Sequence, residues 1–141
     1  MTSIDFYTHC ADRLDVALRL VAKAWSAHGS VRVLTPDASE TDALDRRLWQ
    51  FPATGFLPHC RLLHPLADET PIIVDHSPEH RGRADVLINL QAAPPPFFAR
   101  FERLIEIVSA DEDAVAAGRE RWRYYKSRGY ELRQHSLAGR G

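Results

Sequence analysis

The chain has no glycine-rich phosphate loop. Such a turn brings backbone N–H groups close to phosphate between a strand and a helix. Here Tyr7 is followed by Thr8-His9-Cys10-Ala11-Asp12 and Leu34 by Thr35-Pro36-Asp37-Ala38-Ser39, with neither GxGxxG nor GxxxxGKS/T spacing. Cysteine is scarce. Cys10 and Cys60 are the two in 141 residues and have no CxxC spacing, which excludes a disulfide framework and points to a reducing compartment. Zinc needs three or four ligands at fixed spacing. The histidines do not supply them: His59 and His64 stand apart, and Pro78 lies inside the His76–His80 pair, so that pair does not share a helical face.

Other absences narrow the function further. No run approaches about 18 apolar residues, so no spanning helix is expected. The opening segment has no basic stretch leading into an apolar run, as a signal peptide would. A soluble cytoplasmic protein is the expectation. The formal net charge is −1, which argues against a protein coated for duplex DNA and leaves only a local patch for any nucleic-acid contact. Ser39 and Ser109 sit in no nucleophile-elbow context. His9 and Cys10 are neighbours on a predicted strand, where successive side chains point to opposite faces. Asp111, Glu112 and Asp113 read as first-turn charges that favour a helix dipole. No catalytic residue, metal or cofactor is expected.

Hydrophobic residues make up 45 % of the chain, enough for the core of one domain over residues 1–141. A flexible tail is expected from about residue 134. Ile4–Thr8 is β-prone. Leu14, Ala17, Leu18, Val21 and Trp25 form one apolar stripe at helical spacing over residues 12–28, and Gly29 is placed to end that helix. Val31–Thr35 reads as a strand stopped by Pro36. A second helix follows, with Ser39 as its expected N-cap, Asp42 at N3, and Leu44 and Leu48 inward. Pro71–Asp75 and Asp85–Leu90 are near-continuous apolar runs, the pattern of strands covered on both faces. Residues 77–83 read as an exposed loop. A turn at 92–96 leads to a short helix through Phe97, Phe98 and Phe101, then a last strand over Leu104–Ser109 and a final helix from near Asp111 to before Gly129. Strands alternating with helices predict an α/β fold with a mostly parallel sheet.

Two aromatic features remain. From Arg119 to Arg133 there are six Lys/Arg against two Asp/Glu. Arg119, Arg123 and Lys126 fall on one helical face, with Trp122 and Tyr125 beside them and Val115 and Val108 upstream. Cations supply charge-assisted hydrogen bonds and rings supply buried area, so this face suits an acidic, partly apolar ligand. A single-stranded nucleic acid stacked on Trp122, Tyr124, Tyr125 and Tyr130 fits the same description; a solvated basic face over a core-facing aromatic stripe is the plainer reading. The second feature runs Leu48-Trp49-Gln50-Phe51-Pro52-Ala53-Thr54-Gly55-Phe56-Leu57-Pro58-His59. It is either a core plug or a protein-binding anchor.

At these residues the sequence resembles the chi subunit of the bacterial DNA polymerase III holoenzyme, the HolC family. The likeness runs through Phe6-Tyr7, Arg32-Val33-Leu34, Leu44–Trp49, Phe56–His59, Pro71–Ile73, Asp85–Leu90, Phe98–Phe101, Glu106–Val108 and Arg119–Tyr125 with Gly129-Tyr130. Each piece alone is weak; their order and spacing are specific. The resemblance implies a single Rossmann-like three-layer domain without nucleotide, and a non-catalytic adaptor rather than a small α/β enzyme. It implies two partners: the psi subunit of the clamp loader, and the acidic, Phe-ended C-terminal tail of single-stranded DNA-binding protein. Single-stranded DNA is then met mainly indirectly, and no membrane is involved. Carried onto this chain, the tail site is Arg119, Trp122, Arg123, Tyr125, Lys126 and Val108, and the psi site is Trp49, Phe56, Leu57 and Pro58. Val115 stands where well-known members have a lysine, which lowers the charge of the tail site.

Overall fold

In a computed structural model, the structure describes residues 2–50 and 57–138. Seven parallel strands among them form one sheet: β1 (Ser3–Cys10), β2 (Val31–Leu34), β3 (His59–Cys60), β4 (Ile72–Asp75), β5 (Val86–Asn89), β6 (Arg103–Ser109) and β7 (Leu132–Ser136), in the order β3-β4-β2-β5-β6-β1-β7. Three helices connect them: α1 (Arg13–His28), α2 (Ala38–Trp49) and α3 (Glu112–Ser127).

The alternation of side chains along each strand sorts the core into two halves. Val31 and Val33 of β2, Val86 and Ile88 of β5, and Ile105 and Ile107 of β6 pack with Ala17, Val21, Leu44 and Leu48 of α1 and α2. Ile4 and Phe6 of β1, Leu34, Leu87, Leu104 and Val108 face Tyr125 of α3 and the rings of Phe97, Phe98 and Phe101. This is the expected three-layer, Rossmann-like arrangement, with parallel strands buried on both faces.

Local chemistry sets the helix ends. Asp12 caps α1 by accepting from the N–H groups of Leu14 and Asp15, and Gly29 closes it at φ 94°, a conformation glycine adopts without a Cβ penalty. The cap of α2 differs from expectation. Asp37, not Ser39, accepts from the Glu40 N–H, because Pro36 ends the strand one residue earlier and leaves Asp37 extended. The short helix expected around the phenylalanines is a single 3-10 turn, Phe98–Arg100. Two strands escaped the sequence reading. β3 is two residues long. β7 is a polar edge strand without apolar alternation, and it carries the sheet through Ser136 where a flexible tail was expected.

The return from β4 to β5 crosses the sheet without a helix. It is held by Arg32, which is 0 % exposed on β2. Its guanidinium donates to the carbonyl oxygens of Glu79 (2.6 Å), Ser77 (2.8 Å) and Asp75 (3.3 Å) and lies 5.1 Å from the Phe97 ring centroid. His80 joins the cage, with Nδ1 3.3 Å from Arg32 and Nε2 donating to the Arg83 carbonyl at 2.8 Å. The 77–83 segment is thus exposed by its side chains except buried His80 and half-buried Ser77, while the carbonyls of Ser77 and Glu79 turn inward. Burial brings the Arg32 guanidinium down to about 10 against the pull of Asp75, so it stays charged at neutral pH.

Burial, together with the charges of Arg32 and Arg100, holds the His80 imidazole below its ordinary 6.5, and the Arg83 carbonyl opposes this. The unfolded chain therefore takes up the proton more readily. His80 contributes stability above about pH 6.5 that is lost as pH falls toward its folded value. Urea midpoints measured from pH 7.5 down to 5.5 should fall, and His80→Gln should flatten that part of the profile.

Candidate peptide-binding cavity

α3 lies across β6 and β1, and a buried carboxylate fixes it there. Glu106 on β6 is 0 % exposed. It accepts from Arg121 Nε at 2.8 Å, from Asn89 Nδ2 at 2.9 Å and from the Tyr125 hydroxyl. Arg121 also donates to the Ala92 carbonyl at 2.9 Å. Desolvation pushes the Glu106 carboxyl up, against the charge of Arg121 and the bonds from Tyr125 and Asn89. Gly118, Arg121 and Tyr125 are the buried residues of α3, spaced three and four apart along one inward face.

Gly118 sets how close the helix sits. A Cβ there would lie 3.0 Å from Val108 Cγ2 and 3.1 Å from Cγ1. Outward of this contact opens a cavity of about 310 Å³ lined by Phe6, Thr8, His9, Val108, Val115, Gly118, Arg119, Trp122 and Gln134. Its floor is apolar. Trp122 packs edge-on against Phe6 at 5.1 Å, and Val108 is buried beneath it. The polar groups come from two walls: Arg119, exposed on α3, and Thr8, His9 and Gln134 from β1 and β7.

Three of the six residues that the resemblance assigns to tail binding line this cavity: Arg119, Trp122 and Val108. Arg123 and Lys126 are exposed on α3 but are not among the lining residues, and Arg123 is paired with Glu120. Tyr125 requires a correction. It is 0 % exposed and spends its hydroxyl on Glu106, so it supports α3 from below and offers no ring to a ligand. The sequence reading missed Phe6, Thr8, His9 and Gln134. They come from β1 and β7, at the far ends of the chain, and only the β1–β7 pairing unites them.

The other aromatic feature lies on the opposite edge of the sheet. Trp49 is 60 % exposed at the end of α2, with its ring 4.8 Å from that of His59. His59 Nδ1 donates to the Leu57 carbonyl at 2.6 Å, and Nε2 is 3.1 Å from Asp45 Oδ1. Leu57 also needs correcting. It is 2 % exposed and packs in the α1–α2 core, so its side chain is core rather than anchor. Pro58 is half-buried, and Phe56 falls outside the described residues. Five strand steps separate β3 from β1, about 24 Å at about 4.8 Å per step.

Among the described residues, no group of three or more His, Cys, Asp or Glu could hold a metal ion, and no helix is long and apolar enough to cross a membrane. A parallel α/β sheet flanked by helices, with an apolar-floored cavity that carries Arg119 on its wall, defines a Rossmann-like protein. Comparison with known proteins narrows this. The family model "DNA polymerase III chi subunit, HolC" matches residues 1–133, and the chain belongs to that family of DNA replication polymerase subunits. It is 36 % identical to DNA polymerase III subunit chi of Pseudomonas aeruginosa, over 97 % of this chain and 98 % of that one. It is 29 % identical to the Haemophilus influenzae subunit, over 84 % and 83 %, and 26 % identical to that of Escherichia coli, over 80 % and 78 %. The fold is also like that of the C-terminal domain of S. cerevisiae Dbp5, with a TM-score of 0.66 at 13 % identity over 96 % of this chain and 90 % of that one. That likeness concerns the fold alone.

Two substitutions test the packing. Arg121→Met strands Glu106 without its cation and should cost about 3–5 kcal/mol, whereas Arg123→Met, on the exposed side, should cost under about 0.5 kcal/mol; equal unfolding midpoints would contradict the buried network. Gly118→Val should overpack against Val108 by about 1–3 kcal/mol, read as a lower thermal midpoint.

Proposed function

We propose that this protein is a non-catalytic adaptor of the replicative polymerase assembly. It holds the acidic, Phe-ended C-terminal tail of single-stranded DNA-binding protein in the α3–β1 cavity, and it binds the psi subunit of the clamp loader at the Trp49 edge. One observation carries the reading: an apolar floor of Phe6, Val108 and Trp122 lies under the exposed cation of Arg119. An aromatic end group fits the floor, and its carboxylate fits the guanidinium. The separation of the two edges agrees with an adaptor, since partners sharing one face would compete. Direct stacking of single-stranded DNA is less well supported. Tyr125 is buried, Trp122 packs on Phe6, and Tyr124 already carries Arg128 4.3 Å above its ring.

Titration calorimetry with a synthetic acidic peptide ending in Phe tests the first site. Arg119→Ala should weaken binding by about 1.5–3 kcal/mol and leave the unfolding midpoint nearly unchanged. Added salt should weaken binding without abolishing it, since screening acts over about 8–10 Å and the apolar part persists. An unchanged affinity in Arg119→Ala, or tighter binding of an oligonucleotide of equal charge, rejects the assignment. For the second site, Trp49→Ala should reduce co-purification with psi by about 2 kcal/mol or more in affinity while peptide affinity holds. Parallel loss of both partners would sink the two-edge arrangement.

A further inference from the structure

His9 stands at an irregularity in β1. Strand pairing with β6 is regular to Tyr7↔Ile107 and resumes only at Cys10↔Ser109. His9 itself has φ 59°, and it is the one non-glycine residue with positive φ among the described residues. A bulge of this kind re-aims a side chain, and the left-handed backbone costs energy that the surrounding structure must hold in place. The bulge puts His9, exposed, on the wall of the cavity that also contains Arg119.

Two hydroxyl groups lie against one nitrogen of the ring. Nδ1 lies 3.0 Å from Ser136 Oγ and 3.1 Å from Thr8 Oγ1. Each hydroxyl oxygen already accepts an N–H: Ser136 Oγ from Ala138 N at 3.3 Å, and Thr8 Oγ1 from Gln134 Nε2 at 3.2 Å. Each hydroxyl still has its own O–H to donate, so the pair can hold Nδ1 as an acceptor. In that tautomer of the neutral imidazole the proton sits on Nε2, and Nε2–H is the donor left for a ligand. Two residues of β7 and one neighbour on β1 thus support this tautomer.

We propose that His9 is the second ligand-contacting donor of this cavity. Its Nε2–H binds one oxygen of a terminal carboxylate while Arg119 binds from the α3 wall. The inference rests on the peptide-binding reading above and deepens it. The cavity then selects a free C-terminal carboxylate, and Thr8, Gln134 and Ser136 are positioning residues for the imidazole.

The test uses the full chain and two synthetic acidic peptides ending in Phe, one with a free carboxylate and one amidated. The parent should prefer the free carboxylate by about tenfold or more, the equivalent of a charge-assisted hydrogen bond. His9→Gly keeps the left-handed backbone without strain, so the fold should hold. It should lose about tenfold on the carboxylate peptide and clearly less on the amide, whose carbonyl oxygen is a weaker, uncharged acceptor. His9→Asn also tolerates this backbone, but its amide reaches only the Nδ1 position and should behave like glycine. His9→Gln places an amide nitrogen near the Nε2 position and should recover part of the affinity. If His9→Gly binds both peptides as the parent does while Arg119→Ala weakens the carboxylate peptide, the role of His9 is overturned and the cavity assignment stands. If the parent binds neither peptide, the cavity assignment fails and this inference fails with it.

Discussion

One buried carboxylate organises the side of the sheet that carries the cavity. Glu106 has no water to solvate it, so its charge is tolerable only because Arg121, Asn89 and Tyr125 converge on it. Those three residues come from α3 and β5, and the carboxylate itself from β6. The network therefore fixes the rotation and height of α3 over the sheet. With Arg121 and Tyr125 turned inward, Arg119 and Trp122 must fall toward β1, and that geometry creates the cavity between α3 and the β1 edge. A core of apolar side chains alone would hold the helix less specifically.

A second polar device holds the sheet edge that closes the cavity. Asp5, 1 % exposed on β1, gathers Arg103 Nε at 3.1 Å, Arg133 Nε at 3.1 Å and His135 Nε2 at 2.9 Å. Burial acts to raise the Asp5 carboxyl, and the bond from His135 with the bonds and charges of the two arginines outweighs it, leaving the group below its usual range. β7 buries little apolar surface, so these ion pairs and the parallel ladder to β1 are what attach it. The opposite face of the same strand supplies Gln134 to the cavity wall.

Much of this was legible in the sequence. The apolar runs at 71–75 and 85–90 read as buried parallel strands, and the stripe of α1 read as a covered helix, because both are statements about hydrophobic periodicity. Arg119 and Trp122 were found from the basic, aromatic composition of α3 and from the family resemblance. Periodicity fails for polar residues that are buried. Arg121 stands among the basic residues of α3 with no sign that it is buried, and Tyr125 reads as core under the plainer pattern and as ligand contact under the resemblance; their spacing with Gly118 and a glutamate inside an apolar strand are the signals of the buried network. Leu57 was indistinguishable from an exposed anchor because its burial depends on α1 and α2. His9 gave no local signal at all, since a bulge and a pairing between the two ends of the chain make its position.

The Arg32 cage bears on how freely this protein can change. The guanidinium is satisfied chiefly by main-chain carbonyls of residues 75, 77 and 79, and every amino acid supplies a carbonyl. Outside His80 and Gly82, which takes φ 86°, the crossing segment is specified by its path more than by its letters. Substitutions, and even exchange of most of its side chains, leave the anchor intact, whereas the single position 32 admits no equivalent. Tolerance of substitution is thereby concentrated in 77–83, although the path of the chain there is firmly tied down.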